Sequence, residues 1–127
     1  MSDIPQDLRF TRSHEWLRAL PDGTVEIGIS DHAQEALGDI VFVDLPEAGR
    51  QVVASEAIAV VESVKAASVI YAPVAGEVVE SNSALSDAPD SVNNAPYEAW
   101  LFKIKPTDPK ATDALMSADQ YRQSIGE

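Results

Sequence analysis

Apolar and polar positions alternate along this chain in short runs separated by turn signals. Val25, Ile27 and Ile29 alternate with polar or small residues after Pro21-Asp22-Gly23, which predicts a strand leaving a turn. Ile40 to Asp44 predicts the next strand, Pro46-Glu47-Ala48-Gly49 a turn, and Gln51 to Ala54 another strand. The uncharged run Ala57 to Val61 and the β-branched or aromatic run Val69-Ile70-Tyr71 each read as a half-buried or buried strand, and Glu77 to Ser81 continues the series. Trp100, Phe102 and Ile104 then alternate with Leu101, Lys103 and Lys105 as a last strand, after a Ser-, Asn-, Asp- and Pro-rich loop over residues 82–96.

Helical signals are few. Asp31, with Gln34 three residues on and Gly38 beyond, predicts a capped helix of about two turns that shows Ala33, Ala36 and Leu37 as packing residues. Asp108-Pro109 opens a helical tail, because Asp is a favoured cap and Pro fits the first helical position. Within that tail Ser117 and Gln120 form a capping box, and Tyr121 and Ile125 share one face. Many short strands with regular turns imply an all-β sandwich or barrel carrying a short internal helix and a C-terminal helix.

The 127 residues predict a single domain, 1–127, with a core over about 9–106 and a helical tail over about 108–126. Cysteine is absent, which removes disulfides, a thiol nucleophile and cysteine-ligated zinc, so any sulfur redox chemistry has to use a borrowed sulfur. A net charge of −12 argues against nucleic acid and anionic membranes as partners, since both are polyanions. Residues 1–12 show no apolar or Arg-rich targeting pattern, and a bacterial cytoplasm is the expected location. His14 and His32 lack the spacing of a metal site and read as structural or capping residues; Trp16 and Trp100 read as core.

Lys65 stands between the two apolar runs with Glu62 and Ser63, which places it at a hairpin tip in water. Taken alone, such a lysine is an ordinary solvated turn residue. Its surroundings decide otherwise: Glu62-Ser63-Val64-Lys65-Ala66, followed by Tyr71-Ala72-Pro73-Val74-Ala75-Gly76-Glu77-Val78-Val79-Glu80-Ser81-Asn82, resembles the attachment region of the glycine cleavage system H protein family. Ser13-His14-Glu15-Trp16, the block from Gly28 to Pro46, and Pro96-Tyr97 with Trp100 to Pro106 resemble further elements of that family, and together these blocks cover most of residues 9–106.

The resemblance implies a mainly β barrel-sandwich hybrid of the lipoyl or biotinyl carrier kind. It implies lipoate in amide linkage on Lys65, with Glu62, Ser63, Val64 and Ala66 forming the motif read by a lipoylating enzyme. It implies a shuttle that receives an aminomethyl group from a pyridoxal-phosphate glycine decarboxylase and passes it to a tetrahydrofolate-dependent aminomethyltransferase. Reoxidation by a flavin-dependent dihydrolipoamide dehydrogenase completes the circuit. A surface groove holding the loaded arm is expected at Ser13, Glu15 and position 69, where the family usually has Asp and this chain has Val69. Between Tyr97 and Trp100 the chain is also one residue shorter than the commoner form.

Other readings compete. A free-standing enzyme would use Lys65 as a Schiff-base nucleophile with Glu15 or His14 as acid-base partner, but such a lysine needs desolvation or a nearby cation, and Glu62 is an anion. A lipoyl domain of a 2-oxoacid dehydrogenase or a biotinyl carrier would typically show Asp-Lys-Ala or Met-Lys-Met where this chain has Val64-Lys65-Ala66. A role as lipoyl donor to other proteins is a further alternative.

Overall fold

The computed structural model describes residues 4–126, so the outermost residues of the expected 1–127 domain lie outside the described residues. In chain order the strands are β1 (Arg9–Phe10), β2 (Glu15–Ala19), β3 (Val25–Ile29), β4 (Ile40–Asp44), β5 (Gln51–Val52), β6 (Ala57–Ser63), β7 (Ala67–Tyr71), β8 (Gly76–Ser81) and β9 (Phe102–Pro106). The helices are α1 (Asp31–Leu37), α2 (Ala84–Asp87), α3 (Ser91–Asn94) and α4 (Ala118–Ser124), with a 3-10 helix over Pro109–Ala114. Six strands form one antiparallel sheet in the order β1-β2-β3-β9-β8-β5, and the other three form a second in the order β4-β6-β7.

The alternation that predicts the strands also builds the core. Val25, Ile27 and Ile29 from β3, Val61 and Ile70 from the β6–β7 hairpin, Val78 from β8, and Phe102 and Ile104 from β9 are all buried in one cluster. At roughly 1.5–3 kcal/mol for each buried large aliphatic or aromatic side chain, this cluster is the main stabilising term of the fold. A second cluster, Ile4, Leu8, Phe10, Trp16, Ala118 and Tyr121, fastens the N-terminal segment and α4 together. Its centre is a stacked pair, Phe10 on Tyr121, with ring centroids 4.5 Å apart. Trp16 is fully buried and donates from Nε1 to the Pro96 carbonyl at 2.9 Å.

Several sequence expectations change in the structure. Ser30, not Asp31, caps α1: it is extended at the end of β3, and its Oγ accepts from the Ala33 N–H at 3.2 Å. Asp31 becomes the first helical residue and accepts from the Gln34 side chain instead. Gly38 ends α1 at φ +83°, while Ala36 is exposed and only Ala33 and Leu37 pack on the core. Strand β5 stops at Val52, and residues 82–96 hold α2 and α3, anchored by buried Leu85 and Val92. Trp100 precedes β9 rather than opening it; it is half-buried, with the Lys103 ammonium 4.7 Å from the ring centroid.

The tail is not one helix. Asp108 caps the 3-10 helix through Lys110 N–H as expected, but Leu115 is extended and Met116 exchanges backbone bonds with Phe10, each 2.9 Å. Ser117 and Gln120 then form the capping box of α4.

Gly76 sets the closeness of β8 to β9, since a Cβ there would lie 2.2 Å from the Lys105 carbonyl oxygen and 2.8 Å from Ile104 Cγ2. The nearest obstacle is backbone and cannot swing aside. Gly76→Ala is expected to destabilise the protein by about 3 kcal/mol in urea denaturation, whereas Ala at the neighbouring exposed Glu77 should change it by less than ~0.5 kcal/mol.

Candidate functional site

The hairpin joining β6 and β7 pairs as far as Glu62 with Ala67, then closes in a tight turn in which the Ser63 N–H donates to the Ala66 carbonyl at 2.7 Å. Ser63 is buried beneath that turn. Its Oγ accepts from the Lys65 N–H at 3.3 Å and the Ala66 N–H at 3.1 Å, and donates to the Ala66 carbonyl at 3.2 Å. One hydroxyl therefore satisfies most of the backbone of the turn, which is the local reason a serine precedes the lysine. Val64, Lys65 and Ala66 are exposed, as is Glu62. The tip is tied to the body by the Val64 N–H, which donates to the Asp39 carbonyl at 3.0 Å just past α1. Lys65 lays its stem over Gly38, where a Cβ would come within 3.4 Å of Lys65 Cε.

Glu15 presents the opposite case, a carboxylate only 1 % exposed. The chain reaches it through a tight turn at residues 11–15 in which His14 adopts φ +75°. Its Oε1 accepts from Thr11 Oγ1 at 2.5 Å and Ser13 Oγ at 2.8 Å, and its Oε2 accepts from the Tyr71 N–H at 3.3 Å. That last bond matters for the sheet, because β7 is an edge strand and Glu15 occupies one of its open donors. Burial pushes the Glu15 carboxyl up from its ordinary value, against the pull of the hydrogen bonds from Thr11, Ser13 and Tyr71.

Two cavities meet at Ser13. One, of about 350 Å³, is lined by Thr11, Arg12, Ser13, Glu15, Ser55 and Tyr71 among others. The other, of about 160 Å³, is lined by residues of α1 and β7, with Ser13, His14, His32, Leu37, Ser68 and Ile70 among them. The structure thus brings Ser13 and Glu15 together, and Ser13 lines both the cavity beside Glu15 and the one formed by α1 and β7. Val69 lines neither cavity; it alternates with Ser68 and Ile70 and is 41 % exposed on the outer face of β7.

Sequence reasoning passes over the fixing of His14. Its Nδ1 lies 2.8 Å from the Tyr121 hydroxyl, which is also 2.7 Å from Ser30 Oγ, so α4 holds the turn that carries Ser13 and Glu15. Burial and the nearby His32 ring, 5.0 Å away, lower the His14 pKa. The His14 and Tyr121 positions are far apart in the chain, and no local pattern links them. Among the described residues no cluster of three or more metal-ligating side chains occurs.

Two antiparallel sheets, one of which presents an exposed lysine on a short hairpin, make a barrel-sandwich fold of the lipoyl-carrier kind. The family model for the glycine cleavage H-protein matches residues 8–127, and the chain belongs to that family. It is 60% identical over 123 residues to a glycine cleavage system H protein of Paraburkholderia phytofirmans, covering 97% of this chain and 98% of that one. It is 61% identical over 128 residues to glycine cleavage system H protein 2 of Pseudomonas syringae pv. tomato, covering 100% of both. The crystal structure of a glycine cleavage system H protein from Mycobacterium marinum superposes with a TM-score of 0.88 at 43% identity, covering 98% of this chain and 100% of that one.

The Glu15 environment makes a pH prediction. Its folded pKa is raised above the ordinary 4.5, so between 4.5 and the raised value the folded protein binds more protons than the unfolded chain, and stability falls as pH rises through that window. Glu15→Gln is neutral throughout; its amide oxygen can accept from Tyr71 N–H and its NH2 can donate to the two rotatable hydroxyls. The variant is expected to melt above the wild type at pH 7 and to lose that advantage as pH falls to about 4, as measured by thermal denaturation across that range.

Proposed function

We propose that this chain is the lipoyl-bearing shuttle of the glycine cleavage system, with lipoate joined to Lys65 through an amide. The observation that carries this reading is the exposed Lys65 on a turn organised by Ser63, in a chain that also sets a buried carboxylate, Glu15, on the wall of a cavity. The family and its named relatives support the same reading. Lys65 is exposed at the hairpin tip with its stem over Gly38, which suits acylation by another enzyme, whereas a Schiff-base nucleophile needs desolvation or a neighbouring cation.

A lipoyl group joined to Lys65 would supply the redox-active disulfide, and the thiol to take up an aminomethyl group, that the cysteine-free chain lacks. The protein's own groups bind and orient. A carboxylate offers about four lone-pair directions, and the bonds from Thr11, Ser13 and Tyr71 use three of those on Glu15. The remaining direction is available to a cationic amine entering the cavity, which would favour the ionised carboxylate and offset its burial. Ser13, at the junction of the two cavities, offers a second polar contact. Val69, on the outer face, offers none, so the burden falls on Glu15.

The partners this function requires are the pyridoxal-phosphate decarboxylase, the tetrahydrofolate-dependent aminomethyltransferase, the flavin-dependent dihydrolipoamide dehydrogenase and a lipoylating enzyme. The first three would present basic rims to a protein of charge −12, and for the fourth Glu62 is an exposed anion three residues before the target lysine. Among the described residues no helix is long and apolar enough to cross a membrane.

The test is a reconstituted system with glycine and the decarboxylase. Lys65→Arg keeps the charge but has no primary amine to acylate, and should abolish lipoylation and glycine-dependent release of carbon dioxide; full activity would overturn the carrier reading. Glu15→Gln should still accept lipoate and cargo, but should release ammonia and formaldehyde roughly 10- to 150-fold faster in the absence of the transferase, the factor expected from losing a charge-assisted hydrogen bond of roughly 1.5–3 kcal/mol. An unchanged rate would remove Glu15 from the cargo site.

A further inference from the structure

One side chain outside the motif and outside both cavities fixes the ground on which Lys65 stands. Asn93, in α3, points its amide at the connection between α1 and β4: Nδ2 donates to the Gly38 carbonyl at 2.8 Å and to Gln34 Oε1 at 2.9 Å, while Oδ1 accepts from the Ile40 N–H at 2.8 Å. The orientation of this amide is determined by its partners, since a flip would set NH2 against an N–H and oxygen against a carbonyl. Two of the three contacts grip the residues on either side of Asp39, and the third ties Asn93 to α1. Asp39 is the residue whose carbonyl receives the Val64 N–H of the hairpin tip, and Gly38 is the residue on which the Lys65 stem rests.

The grip has a firm base. Val92, next to Asn93, is fully buried, and Leu85 in α2 is buried as well, so the segment that carries the amide is anchored in the main core. Gln34 is itself held by Asp31 through a 2.7 Å bond, which leaves its Oε1 turned toward Asn93. The path from core to tip is therefore a chain of named contacts: Val92 in the core, Asn93 on the connection, Asp39 to Val64, and Lys65 one residue further on.

We infer that Asn93 is a positioning residue for the attachment lysine, acting through the Gly38–Asp39 seat and never touching lipoate, substrate or partner. The inference rests on the carrier reading for its importance but not for its geometry. Its consequence is specific. A tip seated in advance pays little ordering cost when a modifying enzyme binds it, so loosening the seat should weaken binding of the tip while leaving the acylation of a bound lysine intact.

Asn93→Asp is nearly isosteric. It keeps the acceptor for Ile40 N–H but sets a carboxylate oxygen against the Gly38 carbonyl and removes both donors. Val78→Ala is the comparison: Val78 is fully buried in β8, outside the path from α3 to the tip, and its truncation leaves a cavity in the main core and weakens the fold without touching the clasp. Two measurements on full-length protein distinguish them. In amide hydrogen exchange the Val64 N–H should exchange about tenfold faster in Asn93→Asp, the factor expected when contacts worth about one or two hydrogen bonds are lost from a local opening; in Val78→Ala it should stay within about twofold of wild type. In lipoylation with lipoate, ATP and a lipoate ligase, Asn93→Asp should raise the KM for the carrier about tenfold with kcat unchanged, and Val78→Ala should change neither when assayed well below its Tm.

Equal behaviour of the two variants in both measurements, or no change in Asn93→Asp, overturns the positioning role. If wild-type protein accepts no lipoate at Lys65, the carrier reading fails instead, and the Val64 exchange rate alone decides the clasp.

Discussion

The bond from the Val64 N–H to the Asp39 carbonyl is the contact on which the geometry of this protein turns. A lysine with a flexible stem can be exposed anywhere on a surface. Here the backbone beneath it is fixed at two levels, by the Ser63 hydroxyl inside the turn and by the attachment of the turn to the end of α1. Both levels depend on the sandwich of the two sheets, because β6 and β7 carry buried Val61 and Ile70 on the inner face while presenting Glu62 and Val69 outward. The core thus acts at a distance, holding a rigid pedestal for a mobile side chain.

The same fold handles its two key ionisable groups in opposite ways. Lys65 is exposed at the hairpin tip, while Glu15 is taken almost entirely out of water and caged by Thr11, Ser13 and Tyr71. A buried carboxylate with spare acceptor capacity beside a cavity is an unfavourable arrangement for stability alone. It becomes intelligible as a receptor for a cation, and its neighbour Arg12 on the cavity wall is exposed rather than bonded to it.

Much of this could be read from the chain before any coordinates. The β6–β7 hairpin, the glycine that ends α1, the Asp108 cap and the Ser117–Gln120 capping box are all local signals, with cause and effect within a few residues. Failures came where a distant partner decides. Ser30 takes the cap from Asp31 because it sits extended at the end of β3, where Tyr121 also meets it. Met116 interrupts the tail because β1 offers it a backbone partner. Residues 82–96 read as loop because their polar composition outweighs the two apolar anchors Leu85 and Val92, and the Asn93 clasp is invisible until α1 and α3 are seen side by side. At the site, Ser13 and Glu15 were legible as a pair, whereas the outward placement of Val69 follows from strand register alone.

Position of the cofactor is the claim on which the whole account depends. Peptide mapping by mass spectrometry, on protein made in cells that synthesise lipoate, measures it directly. The account predicts one lipoyl group per chain, carried on the peptide that contains Lys65, with Lys103, Lys105 and Lys110 unmodified. Lipoate on any of those three, or a fully active carrier in which Lys65 bears nothing, would contradict it.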